Sequence, residues 1–169
     1  MTASVHWKQR LFVAVCKRDA GTSKDASSTM YSVQLGRSSP RMHKATKLVR
    51  LGKTRPVSNI AVSPDGRWLV VTSGTKVHVL SLHDTGAGFT KFATESALTA
   101  LAFDPDVHFA RFATGEANGK IKIWHCLEAA QHGEAPRDAA AATTTLHWHA
   151  HAVEALEYTP DGALSLIHI

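Results

Sequence analysis

Val57-Ser58-Asn59-Ile60-Ala61-Val62-Ser63-Pro64-Asp65-Gly66 is followed 41 residues later by Leu98-Thr99-Ala100-Leu101-Ala102-Phe103-Asp104-Pro105-Asp106-Val107, and 55 residues after that by Val153-Glu154-Ala155-Leu156-Glu157-Tyr158-Thr159-Pro160-Asp161-Gly162. A period near 41 with one insertion of about 14 residues relates the three copies. In each, apolar side chains alternate before the proline (Ile60 and Val62, Leu101 and Phe103, Leu156 and Tyr158), the pattern of a strand with one face buried. The turn follows from its chemistry. Proline presets its own φ, the aspartate bonds nearby backbone, and Gly66 and Gly162 permit the positive φ that closes the chain back on itself.

Working outward, a second strand follows each of the first two turns, at Trp68 to Thr72 and Phe109 to Thr114. Glycine-containing breaks come next, at Ser73-Gly74 and at Gly115 to Gly119, and then third strands at Val77 to Leu80 and Ile121 to Trp124. Weaker fourth strands lie at Phe89 to Ala93 and Thr144 to Trp148. Four short antiparallel strands in about 41 residues is the arithmetic of a propeller blade. The expected fold is therefore all-β: a partial propeller of about two complete four-stranded blades plus one begun, over residues 57–169. The segment 127–144 is an insertion between the third and fourth strands of its blade, and residues 1–56 precede the repeats as a basic leader, partly ordered or an incomplete first blade. So few blades do not close a ring, which reads as a piece of a longer protein. The last five residues, 165–169, are either a short strand or a tail foreign to the repeat.

On these residues the chain resembles the WD-repeat β-propeller family. Ile121-Lys122-Ile123-Trp124 is similar to the third-strand motif ending in Trp, Asn118-Gly119 to the turn before it, and Trp148-His149 to the family's Gly-His, four residues ahead of Val153. Leu51-Gly52-Lys53 stands at the same spacing before Val57, with Lys53 in the place of the family's His. The resemblance implies structural roles for Asp65, Gly66, Asp106, Asn118, Gly119, Trp124, His149, Asp161 and Gly162. It also implies a buried His, Asp, Ser/Thr and Trp network within each blade, and here the sets are incomplete. Leu80 replaces Trp in the first copy; Thr94 replaces His in the second, where His125 follows Trp124 in the place of Asp. Apolar packing between sheets must then supply most of the stability, because a half-satisfied buried network is worse than none.

Charge divides the chain. Residues 1–56 hold 12 Lys/Arg against Asp19 and Asp25, a balance of +10, whereas residues 57–169 hold 7 against 12 Asp/Glu, a balance of −5. Arg41, Lys44, Lys47 and Arg50 recur at a spacing of three, which would align them on one flank of a helix and let them lie along RNA phosphates or an acidic partner. No aromatic residue interleaves with them in the sequence, so base-specific reading of RNA is not expected. The composition is globular, with 44% apolar and 20% charged residues. Runs such as Leu11 to Cys16 fall far short of the roughly 18 residues of a spanning helix, so no membrane association is expected. Cys16 and Cys126 form no CxxC pair and read as reduced structural thiols.

His147, His149 and His151 would share one face of a strand, a geometry able to bind zinc, but no Cys or acidic residue stands at supporting spacing. The sequence lacks GxSxG, the Walker glycine loop, GxGxxG and HExxH. Asp65, Asp106 and Asp161 recur in every copy, as turn formers do and a catalytic pair does not. The expected function is a non-catalytic protein-interaction scaffold with neither cofactor nor small-molecule substrate, bound to other proteins of a multi-subunit complex and, through the leader, to RNA. Thr145-Leu146-His147-Trp148-His149 and the insertion ahead of it resemble a WD-repeat subunit of the small-subunit processome. That implies pre-ribosomal RNA transcription and early processing, in the nucleus and nucleolus. A ubiquitin-ligase adaptor, a trafficking coat, or a metal-dependent enzyme built on the three histidines are the alternatives.

Overall fold

The structure, a computed structural model, describes residues 2–7, 10–18, 26–34, 45–108, 110–125, 127, 143–147 and 150–167. Their strands are β1 (Thr2–Trp7), β2 (Arg10–Arg18), β3 (Ala26–Gln34), β4 (Ala45–Thr54), β5 (Asn59–Val62), β6 (Trp68–Ser73), β7 (Lys76–Ser81), β8 (Phe89–Ala93), β9 (Leu98–Phe103), β10 (Phe112–Glu116), β11 (Lys120–Trp124), β12 (Thr143–His147), β13 (Ala155–Tyr158) and β14 (Leu164–Ile167). They form four antiparallel sheets, each pairing its strands in chain order: β1–β4, β5–β8, β9–β12 and the pair β13–β14.

The first strands of successive sheets touch, β1 with β5, β5 with β9 and β9 with β13. Sheets that meet along their first strands and splay outward are propeller blades around an axis. Three blades are complete and a fourth is begun, one more than the repeats indicate. The additional blade lies within residues 1–56: the segment expected to be a partly ordered leader or an incomplete blade carries four paired strands. At the other end, Ser165–Ile167 belong to β14, which pairs with β13 in the register Glu157↔Ser165 and Ala155↔Ile167.

Burial explains the sequence pattern strand by strand. Middle strands lie between neighbouring sheets, so β6 is buried at every position, and Trp68-Leu69-Val70-Val71 reads as a continuous apolar run. Odd and even positions then serve different interfaces. Leu69, Val71 and Leu80 pack toward Phe12, Met30 and Leu51 of the first blade, while Trp68, Val70, Val77 and Val79 pack toward Leu98, Phe112 and Trp124 of the third. A third cluster of Ala113, Ile121, Val153, Leu156 and Tyr158 joins the last two sheets.

The Pro-Asp turns close as their residues dictate. In the second blade Ser63 N donates to Trp68 O at 2.9 Å, and Gly66 takes φ 76°. Val107 stands in the glycine position of the third blade and does not favour a positive φ. There the loop is longer, Asp104 N donates to Arg111 O, and β10 begins at Phe112 rather than at the expected Phe109.

Entry into each new blade is tied to the hairpin of the one before. Leu98 N donates to Gly74 O at 2.8 Å and Val153 N to Glu116 O at 3.2 Å. Thr99 Oγ1 adds bonds to Gly115 O at 3.1 Å and to Val153 O at 2.6 Å. This close approach needs Gly115, because a Cβ there would stand 2.6 Å from Val153 Cγ1 and 2.7 Å from its Cβ. Val153 is fully buried and has nowhere to retreat. Gly115→Ala is expected to cost about 1–3 kcal/mol, the usual penalty for overpacking, read as a lowered urea midpoint. The same substitution at Gly88, where a Cβ meets nothing within 4 Å but φ is +75°, tests backbone strain without the clash.

Candidate interaction surface

The recurring polar residues are spent on turns. Asp65 accepts hydrogen bonds from Ser63 Oγ at 2.5 Å and from Arg67 N at 3.0 Å; Asp106 accepts from His108 N at 2.9 Å; Asn118 Oδ1 accepts from Lys120 N at 3.1 Å. Asp161 accepts from the Thr159 hydroxyl, and that bond holds its carboxyl below the usual range. Gly119 and Gly162 both take φ 81°. Trp124 is fully buried, and its Nε1 donates to Thr114 Oγ1 at 2.9 Å, so the Trp–Thr half of the expected polar network is built in the third blade. Thr94, in the place of the network's histidine, donates through Oγ1 to Thr75 O at 3.1 Å and to Ser96 O at 2.8 Å.

His147 is exposed in β12 and His151 lies exposed in a bend. His149, Trp148, Cys126 and residues 128–142 of the insertion lie outside the described residues, as do Arg41 and Lys44.

Lys47 and Arg50 are on β4, not on a helix. Their spacing of three is accommodated by two irregularities in the pairing with β3: Tyr31 pairs with Lys47 and Met30 with Val49, then Thr29 with Arg50 and Ser28 with Gly52. Leu48 and Leu51 are the extra residues, each the mark of a β-bulge. Both leucines pack with Val49 into the cluster against the second blade, while Lys47 and Arg50 are exposed.

Between the second and third blades the sequence reading missed a run of polar side chains. Lys120 Nζ bonds Glu95 Oε2 at 2.7 Å, and each holds the other ionised, Glu95 shifted down and Lys120 up. Lys122 Nζ lies 3.5 Å from Oε1 of the fully buried Glu116. Thr94, Glu95, Lys120, Lys122, Thr143 and Thr145 line an open cavity of ≈ 430 Å³ there. One signal was available: Phe112, Thr114 and Glu116 alternate, so whatever buries the first two buries the glutamate.

His78 is also fully buried, edge-on to Phe89 with ring centroids 5.7 Å apart, and neither ring nitrogen has a hydrogen-bond partner among the described residues. Burial, with Lys91 and Lys76 adding repulsion, pushes its pKa from 6.5 down to about 4. The unfolded chain therefore takes up a proton below about 6.5 that the folded chain refuses until about 4. Stability fully present at neutral pH should fall through that window, by up to about 3 kcal/mol at 1.36 kcal/mol per pKa unit. Urea midpoints at pH 7 and 4.5 check this, and His78→Leu should remove most of the difference.

A family model described as eukaryotic translation initiation factor eIF2A matches residues 1–156. The chain belongs to the eIF2A family. This is a WD40-like β-propeller family, and its match includes the first blade as well as the repeats. The eIF2A-family chain is also similar to a WD40 propeller chain in the crystal structure of the mitotic checkpoint complex, at 18% identity and a TM-score of 0.57. That match covers 89% of this chain and 39% of the other. At that identity it shows the fold, a WD-repeat propeller.

Proposed function

We propose that this segment is a non-catalytic scaffold in a ribosome-assembly particle, a subunit of the small-subunit processome that acts in pre-ribosomal RNA transcription and early processing in the nucleolus. The supporting observation is where the resembling segment sits. Thr145, Leu146 and His147 end β12, the outermost strand of the third blade, and Thr144, Thr145 and His147 are exposed on that edge. An outer strand edge with outward side chains offers backbone and side-chain groups to another chain. The recurring aspartates, by contrast, are committed to turns.

Affinity purification of the tagged full-length protein, with sequencing of the RNA it retains and microscopy of its location, tests the reading. Enrichment of uncleaved ribosomal RNA precursor and a nucleolar signal are expected. The family match favours a second reading, a propeller of the translation-initiation apparatus. Retention of mature small-subunit RNA and messenger RNA, with a cytoplasmic signal, would replace the first reading with the second.

A further inference from the structure

We propose that the outer edge of β12 takes up an extended acidic segment of another protein as a fifth strand of the third blade. The inference rests on the reading of that edge as a contact surface and not on which particle is joined. An outer edge points away from the propeller axis, so a further blade, which packs against a sheet face, leaves it open. The three complete blades treat their outer strands differently. β4 carries two bulges and the exposed Lys47 and Arg50, and β8 carries the exposed Lys91 at its centre. Bulges and lysines are devices that stop an edge from pairing with another chain. β12 has neither. Its Thr143-Thr144-Thr145-Leu146-His147 pairs with β11 in unbroken register, carries no Lys, Arg, Asp, Glu, Gly or Pro, and begins with three β-branched residues. No described strand pairs with its outer side, where alternate residues turn their N–H and C=O groups away from β11.

The groove beside this edge selects the segment. Thr143 and Thr145 line the open cavity of ≈ 430 Å³ together with Lys120 and Lys122, whereas Leu146 packs with Ile121 on the opposite face. A strand laid along β12 therefore presents every second side chain to hydroxyls and lysines. The two lysines are not equivalent. Lys122 is committed to the fully buried Glu116, but Lys120 is held by Glu95, whose side chain is 73% exposed. A surface pair of this kind contributes little and exchanges readily. A carboxylate from the incoming strand can take the place of Glu95 on Lys120 without uncovering a buried charge, and threonine hydroxyls beside it can donate to the same group. Main-chain bonds to the open edge would supply affinity and the groove would supply the preference for acidic residues at alternate positions.

The test is binding of a fluorescent peptide of alternating valine and glutamate to the 169-residue chain, read by anisotropy and by amide exchange. Exchange should slow in Thr143–His147 and stay unchanged in Phe89–Ala93, the outer strand of the second blade. Lys120→Ala should weaken binding about tenfold, the loss of one charge-assisted hydrogen bond. Lys120→Arg keeps the charge and should keep the affinity, which guards against loss of fold in the alanine variant. Glu95→Gln, which releases Lys120, should tighten binding. A peptide of alternating valine and lysine should bind more weakly, and the glutamate peptide N-methylated throughout, which has no ladder donors, should not bind. No binding by the unmodified chain, full binding of the N-methylated peptide, equal binding of the lysine peptide, or protection of β8 instead of β12 would overturn the proposal. The assay uses the purified chain alone, so its failure removes the acidic strand and leaves the particle to be read from the RNA that the full-length protein retains.

Discussion

Trp124→Ala is expected to lower the stability of the chain by about 3–5 kcal/mol, the range for truncating a fully buried aromatic side chain. The indole is enclosed from both sheets it joins. Phe112, its cross-strand partner, lies nearly parallel at 7° with ring centroids 5.7 Å apart, and Phe92 approaches from the second blade at 5.2 Å. Removing it opens a cavity at the centre of the cluster shared by two blades and leaves the Thr114 hydroxyl without the bond it accepts from Nε1. Trp124→Phe separates the two effects. It keeps most of the packing and should cost about 1–3 kcal/mol, the range for leaving one buried polar group unsatisfied. Chemical denaturation at constant slope is the measurement. A midpoint for Trp124→Ala close to that of the unmodified chain would contradict the interface as described.

Lys122→Ala should cost a comparable amount for an electrostatic reason. Glu116 is fully buried, neither carboxylate oxygen has a hydrogen bond among the described residues, and Lys122 Nζ at 3.5 Å is its counter-charge. Deleting one partner of a buried pair leaves an uncompensated charge in low dielectric, worth about 3–5 kcal/mol. Replacing both partners by apolar residues removes that penalty, so Glu116→Met with Lys122→Met should be more stable than Lys122→Ala alone. If the double variant were instead the less stable of the two, the pair would be contributing net attraction and this argument would fail.

The blades that carry Pro-Asp turns were legible in the sequence because local chemistry and the two-residue period agree there: Ile60 and Val62, or Leu101 and Phe103, announce their strands unaided. The first blade was not. Its β4 reads Lys47-Leu48-Val49-Arg50-Leu51-Gly52-Lys53, apolar and basic residues at intervals of three, and only the partner strand reveals that two bulges produce this rhythm on an extended chain. A helical flank was the reasonable inference from spacing alone. For the same reason the placing of Lys47 opposite Tyr31 and of Arg50 opposite Thr29 could not be seen, since that register is set by β3. The expected dependence on apolar packing was legible through Leu80 and Thr94, and three inter-sheet clusters carry it. Glu116 continues the alternation of Phe112 and Thr114, whereas the burial of His78 depends on which neighbours cover β7, which no local pattern encodes.

Among the described residues the main contacts between sheets run in series, β1 to β5 to β9 to β13, which makes the stack close to a one-dimensional lattice. Each sheet's free energy is its own plus one coupling per neighbour, so disorder enters at an end and advances blade by blade instead of nucleating in the middle. Among the described sheets the second is flanked by a four-stranded neighbour on both sides, while the two-stranded fourth meets the third through Leu156 and Tyr158 of β13, with Val153 just ahead of that strand. Amide exchange should accordingly be slowest in β6 and fastest in β14, a protection gradient along the chain that a single globular core would not produce.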